Sequence, residues 1–255
     1  MDDGSSDGTS ERVRTEFPQV NLYRGNGNLF WNKGMHAAFA KALEKGGFDY
    51  YLLLNDDTFL YDDAFAQLLT AHQTLKAEGK EKTVIAGSTR DPRTGRLSYG
   101  GYVRSASWNP MNVTLQEPGD KPREVYTICG NCVLIPKSVT DRIGNLNPVY
   151  AHRWGDSDYG RRAWKKGCHV AICQGYIGEC ESNPGSEAWT DTSLPFRKRI
   201  QLLHSMKGLH KRDWWIYTRH HAGIVWPLSW ASPYIKIALT SLLTKRENPK
   251  EEYEF

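Results

Sequence analysis

Residues 50–59 read YYLLLNDDTF, an apolar run that ends abruptly in a polar turn. Five apolar residues are too few to span a membrane, and they predict a strand buried on both faces, as in a parallel sheet. Ligands of open α/β sheets bind just beyond the carboxyl ends of strands, where carboxylates can hold a divalent cation against a phosphorylated substrate. Alternatively, residues 55–58 form a turn that caps the next helix. The stretch alone leaves both interpretations open.

The sequence around this stretch alternates between predicted strands and helices, which is typical of a parallel sheet with crossover helices. Apolar periodicity predicts strands at residues 20–23, 50–54, 83–87, 125–135 and 168–173, and helices at 10–16, 32–45, 63–77, 137–143 and within 154–167. Short antiparallel strands near 97–103 and a mobile segment at 109–123 interrupt the alternation. We therefore predict an α/β domain at residues 1–195, with a mixed, mainly parallel sheet flanked by helices, and a helical tail at 196–255.

Composition narrows the class of protein. The formal net charge of +4 is small, and no uniform basic coat points to nucleic acid as a partner. The five cysteines are an odd number in a long chain, which favours a reducing compartment over a disulfide framework. The lone pair Cys129 and Cys132 more simply fills strands than binds structural zinc. The first residues are acidic and polar, unlike a secretory signal, so we expect a cytoplasmic protein.

The tail has a composition of its own. Basic residues lie among tryptophans and a tyrosine from residue 197 to residue 219, and residues 222–243 are mostly apolar. Pro227, Pro233 and several polar residues disfavour a helix that spans a membrane. Two interpretations remain open: the tail lies on an anionic membrane surface, at the inner face of the cell membrane, or it packs on the domain.

Five segments, in order, carry a resemblance to a known family. They are DDGSSDGT at residues 2–9, GNGNLFWNKG at 25–34 followed by Ala37 and Ala38, LLNDDT at 53–58, GNCVLIP at 130–136 and GDSDYGRR at 155–162. Together they resemble glycosyltransferase family 2, with the GT-A fold, and its rhamnosyltransferase-like members in particular. The third segment is similar to the LLNxDT form of the family's DxD motif. One such motif would be weak evidence, whereas five in the correct order are specific.

The resemblance implies a role for individual residues. Asp57 matches the carboxylate that meets a Mg²⁺ or Mn²⁺ ion, and Asp156 matches the base that takes the proton of the acceptor hydroxyl. The nucleotide-sugar site would include the following residues: Asp3, Asn32, Asn55, Asp56, Gly130, Asn131, Asp158 and Arg162. Asn55 replaces the first carboxylate of the motif and supplies no charge. By themselves, Asp156 could be only a helix N-cap, and Arg162 only a solvated helix residue.

The chain also departs from the family pattern. Family members usually begin with a strand and a Pro-x-Tyr-Asn turn ahead of the DDGS loop, and this sequence opens on the loop. Gly155 stands where a glutamate is expected, and Cys180 stands near the place where many relatives carry a histidine. These departures motivate a second hypothesis, a shortened and catalytically impaired relic that binds glycan or protein.

The resemblance implies an inverting, metal-dependent glycosyltransferase of hexosyl- or rhamnosyltransferase type in cell-surface polysaccharide synthesis. Its donor would be a dTDP-, UDP- or GDP-sugar, and its acceptor a glycan or a lipid-linked glycan. A third hypothesis, a metal-dependent nucleotidyltransferase, would use the same acidic loops. It usually needs a basic glycine-rich loop near the N-terminus, which this sequence lacks.

Overall fold

The structure is a computed structural model that describes residues 1–182 and 188–247 of the chain. Its described residues divide into two compact units. The first comprises residues 1–108 and 112–182, and the second comprises residues 109–111 and the described residues from 188 onward. Each unit is described by itself below.

The first unit is an α/β domain, as the sequence predicts. Its helices are α1 (Thr9–Glu16), α2 (Phe30–Lys45), α3 (Ala64–Ala77), α4 (Lys137–Ile143) and α5 (Gly155–Lys165). Its longer strands are β1 (Tyr50–Leu54), β3 (Thr83–Ala86), β6 (Gly101–Arg104), β10 (Cys132–Pro136) and β11 (His169–Ile172). The short strands are β2 (Phe59–Leu60), β4 (Thr89–Arg90), β5 (Leu97–Tyr99), β7 (Val113–Leu115), β8 (Arg123–Glu124), β9 (Thr127–Ile128) and β12 (Gly178–Glu179).

A five-stranded sheet in the order β1-β10-β3-β11-β8 forms the centre of this unit. The strand β11 runs parallel to β3, whereas β10 runs antiparallel to both of its neighbours. β1, predicted to be buried as in a parallel sheet, pairs antiparallel with β10 at the edge of the described sheet. Its burial alternates, with Tyr51 and Leu53 buried and Leu54 exposed. The apolar run therefore predicted the position of the strand correctly, but it did not predict the antiparallel pairing with β10.

Two layers of side chains cover the faces of the central sheet. On one face Tyr51, Leu53 and Val133 pack with Phe39 of α2 and Tyr159 of α5. On the other face, a second layer joins α3 to the sheet through Leu68, Ala71, Leu75, Ile85, Leu134 and Ala171. Successive residues of a strand point to opposite faces, so β1 and β10 contribute to both layers. Helices on both faces leave the ends of the strands as the open part of the sheet.

Three local predictions differ from the structure. Residues 20–23 form no strand, and only an isolated parallel bridge joins Asp2 to Arg24. Val20 and Tyr23 are exposed, so their β-forming side chains have no core face to cover. The predicted strand at 125–135 is two strands, because the loop with Gly130 separates β9 from β10. The predicted mobile segment at 109–123 contains β7, which pairs with β6.

The described part of the second unit is helical, as predicted for the tail. It contains α6 (Phe196–His204), α7 (Lys211–His221), a 3-10 turn (Gly223–Val225) and α8 (Trp226–Glu247). Leu203, Trp214 and Ile237 are buried, one on each of the three α-helices. The indole of Trp214 donates to the carbonyl of Trp230 at 3.1 Å, which ties α7 to α8. Among the described residues, no helix combines the length and apolar character needed to cross a bilayer.

Candidate functional site

The site lies where β1 ends and β10 begins. Because the two strands are antiparallel, with Leu54 opposite Cys132, the residue after β1 meets the residue before β10. The backbone N–H of Asn55 donates to the carbonyl of Asn131 at 2.9 Å. The side-chain amide of Asn55 also donates to Oδ1 of Asn131 at 3.3 Å. Two predicted site residues, 76 positions apart in the chain, are therefore held together by the pairing of the strands.

Asp156, in the first turn of α5, lies at the same place, where β1 ends and β10 begins. Its Oδ2 accepts a hydrogen bond from the backbone N–H of Gly130 at 2.8 Å, and its Oδ1 accepts one from Ser157 at 2.6 Å. A Cβ atom on Gly130 would come within 2.9 Å of Cβ of Asp156 and 3.0 Å of the Trp31 ring. Glycine is therefore required for the carboxylate to approach the loop this closely.

Burial changes the acidity of this carboxyl group. Desolvation raises the pKa of Asp156 above its usual range, although hydrogen bonds from Gly130 and Ser157 oppose the shift. The Cys129 thiol lies close by, and burial together with the charge on Asp156 raises the pKa of Cys129. A carboxylate with a raised pKa is a better proton acceptor than an ordinary aspartate, which is the property required of a general base.

Trp31 is a site residue that the motifs do not reveal. Its indole N–H donates to Oδ1 of Asn55 at 2.7 Å, and its ring lies against Gly130. The backbone N–H of Trp31 donates to Nδ1 of His152 at 3.3 Å. Trp31 thus contacts both Asn55 and the loop that holds Asp156. Its position inside the glycine- and asparagine-rich segment at 25–34 was the available signal, but an indole donor belongs to no acidic motif.

Asp57 lines a cleft of about 530 Å³ beside this network, together with Phe59, Pro92, Glu179, Cys180 and Glu181. The Cys180 thiol accepts a hydrogen bond from the side-chain amide of Asn131 at 3.0 Å. Burial, and then the negative charge of Asp57, raises the pKa of Cys180 to about 11. The predicted metal ligand Asp57 and the cysteine at the place of the family's histidine therefore share one cleft.

The residues at this cleft fit a hard divalent cation. Asp56 and Asp57 are both exposed, and a Mg²⁺ ion is usually held by one or two carboxylates together with substrate phosphates. Asn55 is placed differently, because its Oδ1 already accepts the indole hydrogen of Trp31. Asp57, with Asp56 beside it, is therefore the group that would hold the ion.

Asp3 organises the loop that precedes α2. Its carboxylate accepts hydrogen bonds from the backbone N–H groups of Gly27, Leu29 and Phe30, at 2.8, 2.7 and 3.3 Å. These contacts hold the start of the helix that carries Trp31. The hydrogen bonds of Asp3 therefore lie within the protein in this structure, and its assignment to the nucleotide stays a prediction.

Asn32, another predicted site residue, makes its hydrogen bonds within the protein. The amide of Asn32 donates to the carbonyls of Asn147 and Tyr150 at 2.9 and 2.8 Å. Its Oδ1 lies only 1.6 Å from the point where a Cβ on Gly155 would stand. Asn32 therefore fills the space that the expected glutamate side chain would need.

Buried Asp158 and partly exposed Arg162 form an ion pair on α5, with Nε and Oδ2 2.6 Å apart. The same guanidinium donates to the carbonyls of Ile143 and Asn145 at 3.0 and 2.8 Å. The pair holds the chain after α4 against α5, so its clearest role is to position the turn that carries Asp156. A direct contact of either residue with the nucleotide sugar stays a prediction.

An α/β domain with carboxylates gathered at one end of its central sheet is typical of enzymes that act on phosphorylated ligands. A family model described as glycosyl transferase family 2 matches residues 1–144, more than half of the chain. The chain belongs to this family, and the family predicted from the five motifs is confirmed. No match is found among curated protein sequences.

Two solved structures illustrate the similarity. One, described as GalNAc-T7 with UDP, GalNAc and Mn²⁺, is 14% identical with a TM-score of 0.48, over 96% of this chain and 46% of that chain. The other is the mannosyltransferase PcManGT from Pyrobaculum calidifontis in complex with GDP-Man and Mn²⁺. It is 15% identical with a TM-score of 0.49, over 98% of this chain and 65% of that chain. The present chain thus spans about half of the first protein and less than two thirds of the second.

Proposed function

We propose that this protein is a glycosyltransferase that moves a sugar from a nucleotide-sugar donor to a glycan or lipid-linked acceptor, with inversion at the anomeric carbon. The observation that carries the proposal is the position of Asp156 in a chain of this family. Its carboxylate is partly buried, has a raised pKa and is bound to the loop that also bears Asn131. A carboxyl group whose pKa is raised by burial at the end of a sheet is a candidate for a functional role.

Asp156 acts on the acceptor. Its carboxylate takes the proton of the acceptor hydroxyl as that oxygen attacks C1 of the donor sugar and the bond from C1 to the diphosphate breaks. The backbone N–H of Gly130 donates to Oδ2 of Asp156, and this hydrogen bond orients the carboxylate. Attack from the side opposite the leaving diphosphate inverts the configuration at C1.

Asp57 serves the donor. A Mg²⁺ or Mn²⁺ ion bound there would act as a Lewis acid and stabilise the charge on the leaving diphosphate. The cleft beside Asp57, about 530 Å³ in volume, has room for part of a nucleotide sugar. The backbone pairing of Asn55 with Asn131 holds the donor side next to the loop whose Gly130 binds Asp156. We assign Asp56, Asn55, Gly130 and Asn131 to the wall of this donor site.

The same proposal covers the setting of the reaction. We infer a cytoplasmic enzyme of hexosyl- or rhamnosyltransferase type that elongates a cell-surface polysaccharide, with a dTDP-, UDP- or GDP-sugar as donor. The odd number of free cysteines favours a reducing compartment, and all five are unpaired. A lipid-linked acceptor would also require the enzyme to work at a membrane surface.

Calorimetric titration with UDP, dTDP and GDP, with and without Mn²⁺, tests the donor site. We expect one nucleotide to bind in a metal-dependent manner, and Asp57→Ala to abolish the effect of the metal. Asp62→Ala, which removes an exposed carboxylate five residues further on, is the matched control and should bind like the parent. Absence of binding for all three nucleotides would instead favour a binding module that no longer transfers sugar.

A further inference from the structure

We propose that the exposed face of α8 binds the surface of an anionic lipid bilayer. Four apolar side chains form this face, which we call the α8 stripe: Leu228, Ile235, Leu239 and Leu242. Their exposed fractions are 70, 49, 56 and 61%. At 100° per residue the four side chains fall within a sector of about 60°, and they extend about 21 Å along the helix. The α8 stripe is thus a continuous exposed apolar band.

The opposite face of α8 is already occupied. Ser229, Pro233 and Ile237 recur every four residues and are buried, Ile237 completely. Their burial fixes the rotation of the helix about its axis, so the α8 stripe cannot turn inward without losing that packing. A helix that is buried along one face and apolar along its exposed face leaves an apolar surface in contact with water.

Further apolar side chains are exposed just before α8 and on α7. Ile224, in the 3-10 turn just before α8, is 96% exposed. Trp215 of α7 is 42% exposed, and its ring packs edge-on against Trp226 at the start of α8, with centroids 6.4 Å apart. Exposed tryptophans are typical of proteins that enter the boundary between lipid headgroups and acyl chains.

The charge of this region favours a bilayer that contains anionic lipids. Residues 188–243 hold eight basic residues and only two acidic ones: Arg197, Lys198, Arg199, Lys207, Lys211, Arg212, Arg219 and Lys236 against Asp191 and Asp213. Arg199 and Asp213 are buried, which leaves seven exposed basic residues and one exposed acidic residue. The whole chain carries a net charge of only +4, so the positive charge is concentrated here. Clustered lysines and arginines beside an amphipathic helix are attracted to anionic lipids.

Arg219, one of these basic residues, contacts two tryptophan rings. The Arg219 guanidinium stands over the rings of Trp215 and Trp226, at 5.4 and 5.5 Å from their centroids. Lys236 is exposed on α8 beside the α8 stripe. A second copy of the protein is the less suitable occupant, because two such basic surfaces would repel each other.

In this mode of lipid binding, α8 lies in the plane of the membrane. The described helices include none long and apolar enough to span a bilayer, and α8 contains Pro233. An interfacial helix needs only its apolar face to enter the lipid. The inference goes beyond the proposed sugar transfer and is independent of it, because attachment to vesicles requires no nucleotide.

Vesicle flotation of the full chain tests the proposal. One set of vesicles contains only phosphatidylcholine, and the other contains 30% phosphatidylglycerol, an amount of the order used to imitate an anionic leaflet. We expect binding to the anionic vesicles, weakening as salt rises, and at least tenfold weaker binding to the neutral ones. The double variant Leu228→Gln with Leu239→Gln should lose at least tenfold in partitioning, and Arg219→Gln about fivefold.

Controls separate lipid binding from damage to the fold. Phe65→Gln replaces an apolar helix residue of similar exposure, 54%, in the first unit, and should float like the parent. Circular dichroism should show unchanged helix content, since every substituted side chain is exposed. Equal binding by the double variant and the parent, or no flotation of the parent, would overturn the proposal. A dimer that the double variant abolishes, without vesicle binding, would do the same, because the α8 stripe would then join two copies.

Discussion

Asp156 is the residue at which burial and hydrogen bonding determine a chemical role. Asp156→Asn keeps the size of the side chain but removes the proton acceptor. We expect sugar transfer to fall by about 10²–10⁴-fold, the usual contribution of a general base. Nucleotide binding should change by less than about threefold, since Asp156 contacts Gly130 and Ser157 rather than Asp57. Transfer rates and calorimetric titration of the same preparations measure the two quantities.

The raised pKa of Asp156 also predicts the pH dependence of the parent. Desolvation favours the protonated acid, so the base is lost at a higher pH than for an ordinary aspartate as the pH falls. A profile of kcat/KM against pH should therefore show an acidic limb above the usual aspartate range. Asp141→Asn, an exposed carboxylate on α4, should leave the limb in place. A parent limb at the ordinary aspartate pKa would contradict the assignment.

Gly130 makes a second residue-scale prediction. Gly130→Ala puts a methyl group 2.9 Å from Cβ of Asp156 and 3.0 Å from Trp31, so one of them must move. We expect a loss of about 1–3 kcal/mol in the free energy of unfolding, as for other overpacked sites, and a fall in kcat. Gly34→Ala is the control, because its Cβ would meet nothing closer than 3.9 Å. Within α2 that substitution should stabilise by about 0.5–1 kcal/mol. Urea unfolding measures both variants.

The predictable part of the site is the part whose residues stand at the strand ends and the helix start that the motifs mark. The motifs identified Asp156, Asn55, Gly130 and Asn131, and the structure brings these four together at one edge of the sheet. Trp31 was not predicted from the sequence, because its role depends on a hydrogen bond to Asn55, a residue 24 positions away. Asn32 was assigned to the nucleotide, yet it holds the backbone of residues 147 and 150. Which distant residue a side chain contacts leaves little trace in a sequence.

At the scale of elements, helices were easier to predict than strand neighbours. The boundaries of α4 agree with the prediction, and those of α1 to α3 agree to within two residues, because a helix is specified by local spacing. The run at residues 50–54 correctly located β1. Its antiparallel partner β10 lies some 80 residues further on, and an apolar run contains no information on the direction of a partner.

The ion pair of α5 makes a prediction at this scale. Arg162→Leu removes the partner of buried Asp158 and two hydrogen bonds to the chain after α4. We expect a loss of about 3 kcal/mol in the free energy of unfolding, since the buried carboxylate keeps the hydrogen bond from Tyr150 but loses this cation. Lys137→Met breaks the pair with Asp141, whose members are 54 and 60% exposed, and should cost less than about 1 kcal/mol. Similar losses for both variants would mean that the α5 pair is not structural.

At the scale of the whole molecule, the proposed catalytic groups and the proposed lipid-binding basic residues lie in different units. The proposed donor and acceptor groups, from Asp3 to Arg162, all lie in the first unit. The eight basic residues that oppose only two acidic ones lie in the second. A chain with a net charge of +4 can therefore offer an acidic cleft to a metal nucleotide and a basic surface to lipid. Composition alone does not reveal this division, because a net charge is a sum over the whole chain.

The division predicts that the first unit folds and binds nucleotide by itself. Both apolar layers of the central sheet draw on residues of this unit only, so residues 1–182 contain a complete two-layered core. We expect this fragment to unfold cooperatively in urea and to bind the nucleotide of the full chain with a dissociation constant within about threefold. It should not float with anionic vesicles, since α8 is absent. A fragment that folds but still floats would place lipid binding in the first unit, whereas a folded fragment that binds no nucleotide would show that the donor site needs the helical unit.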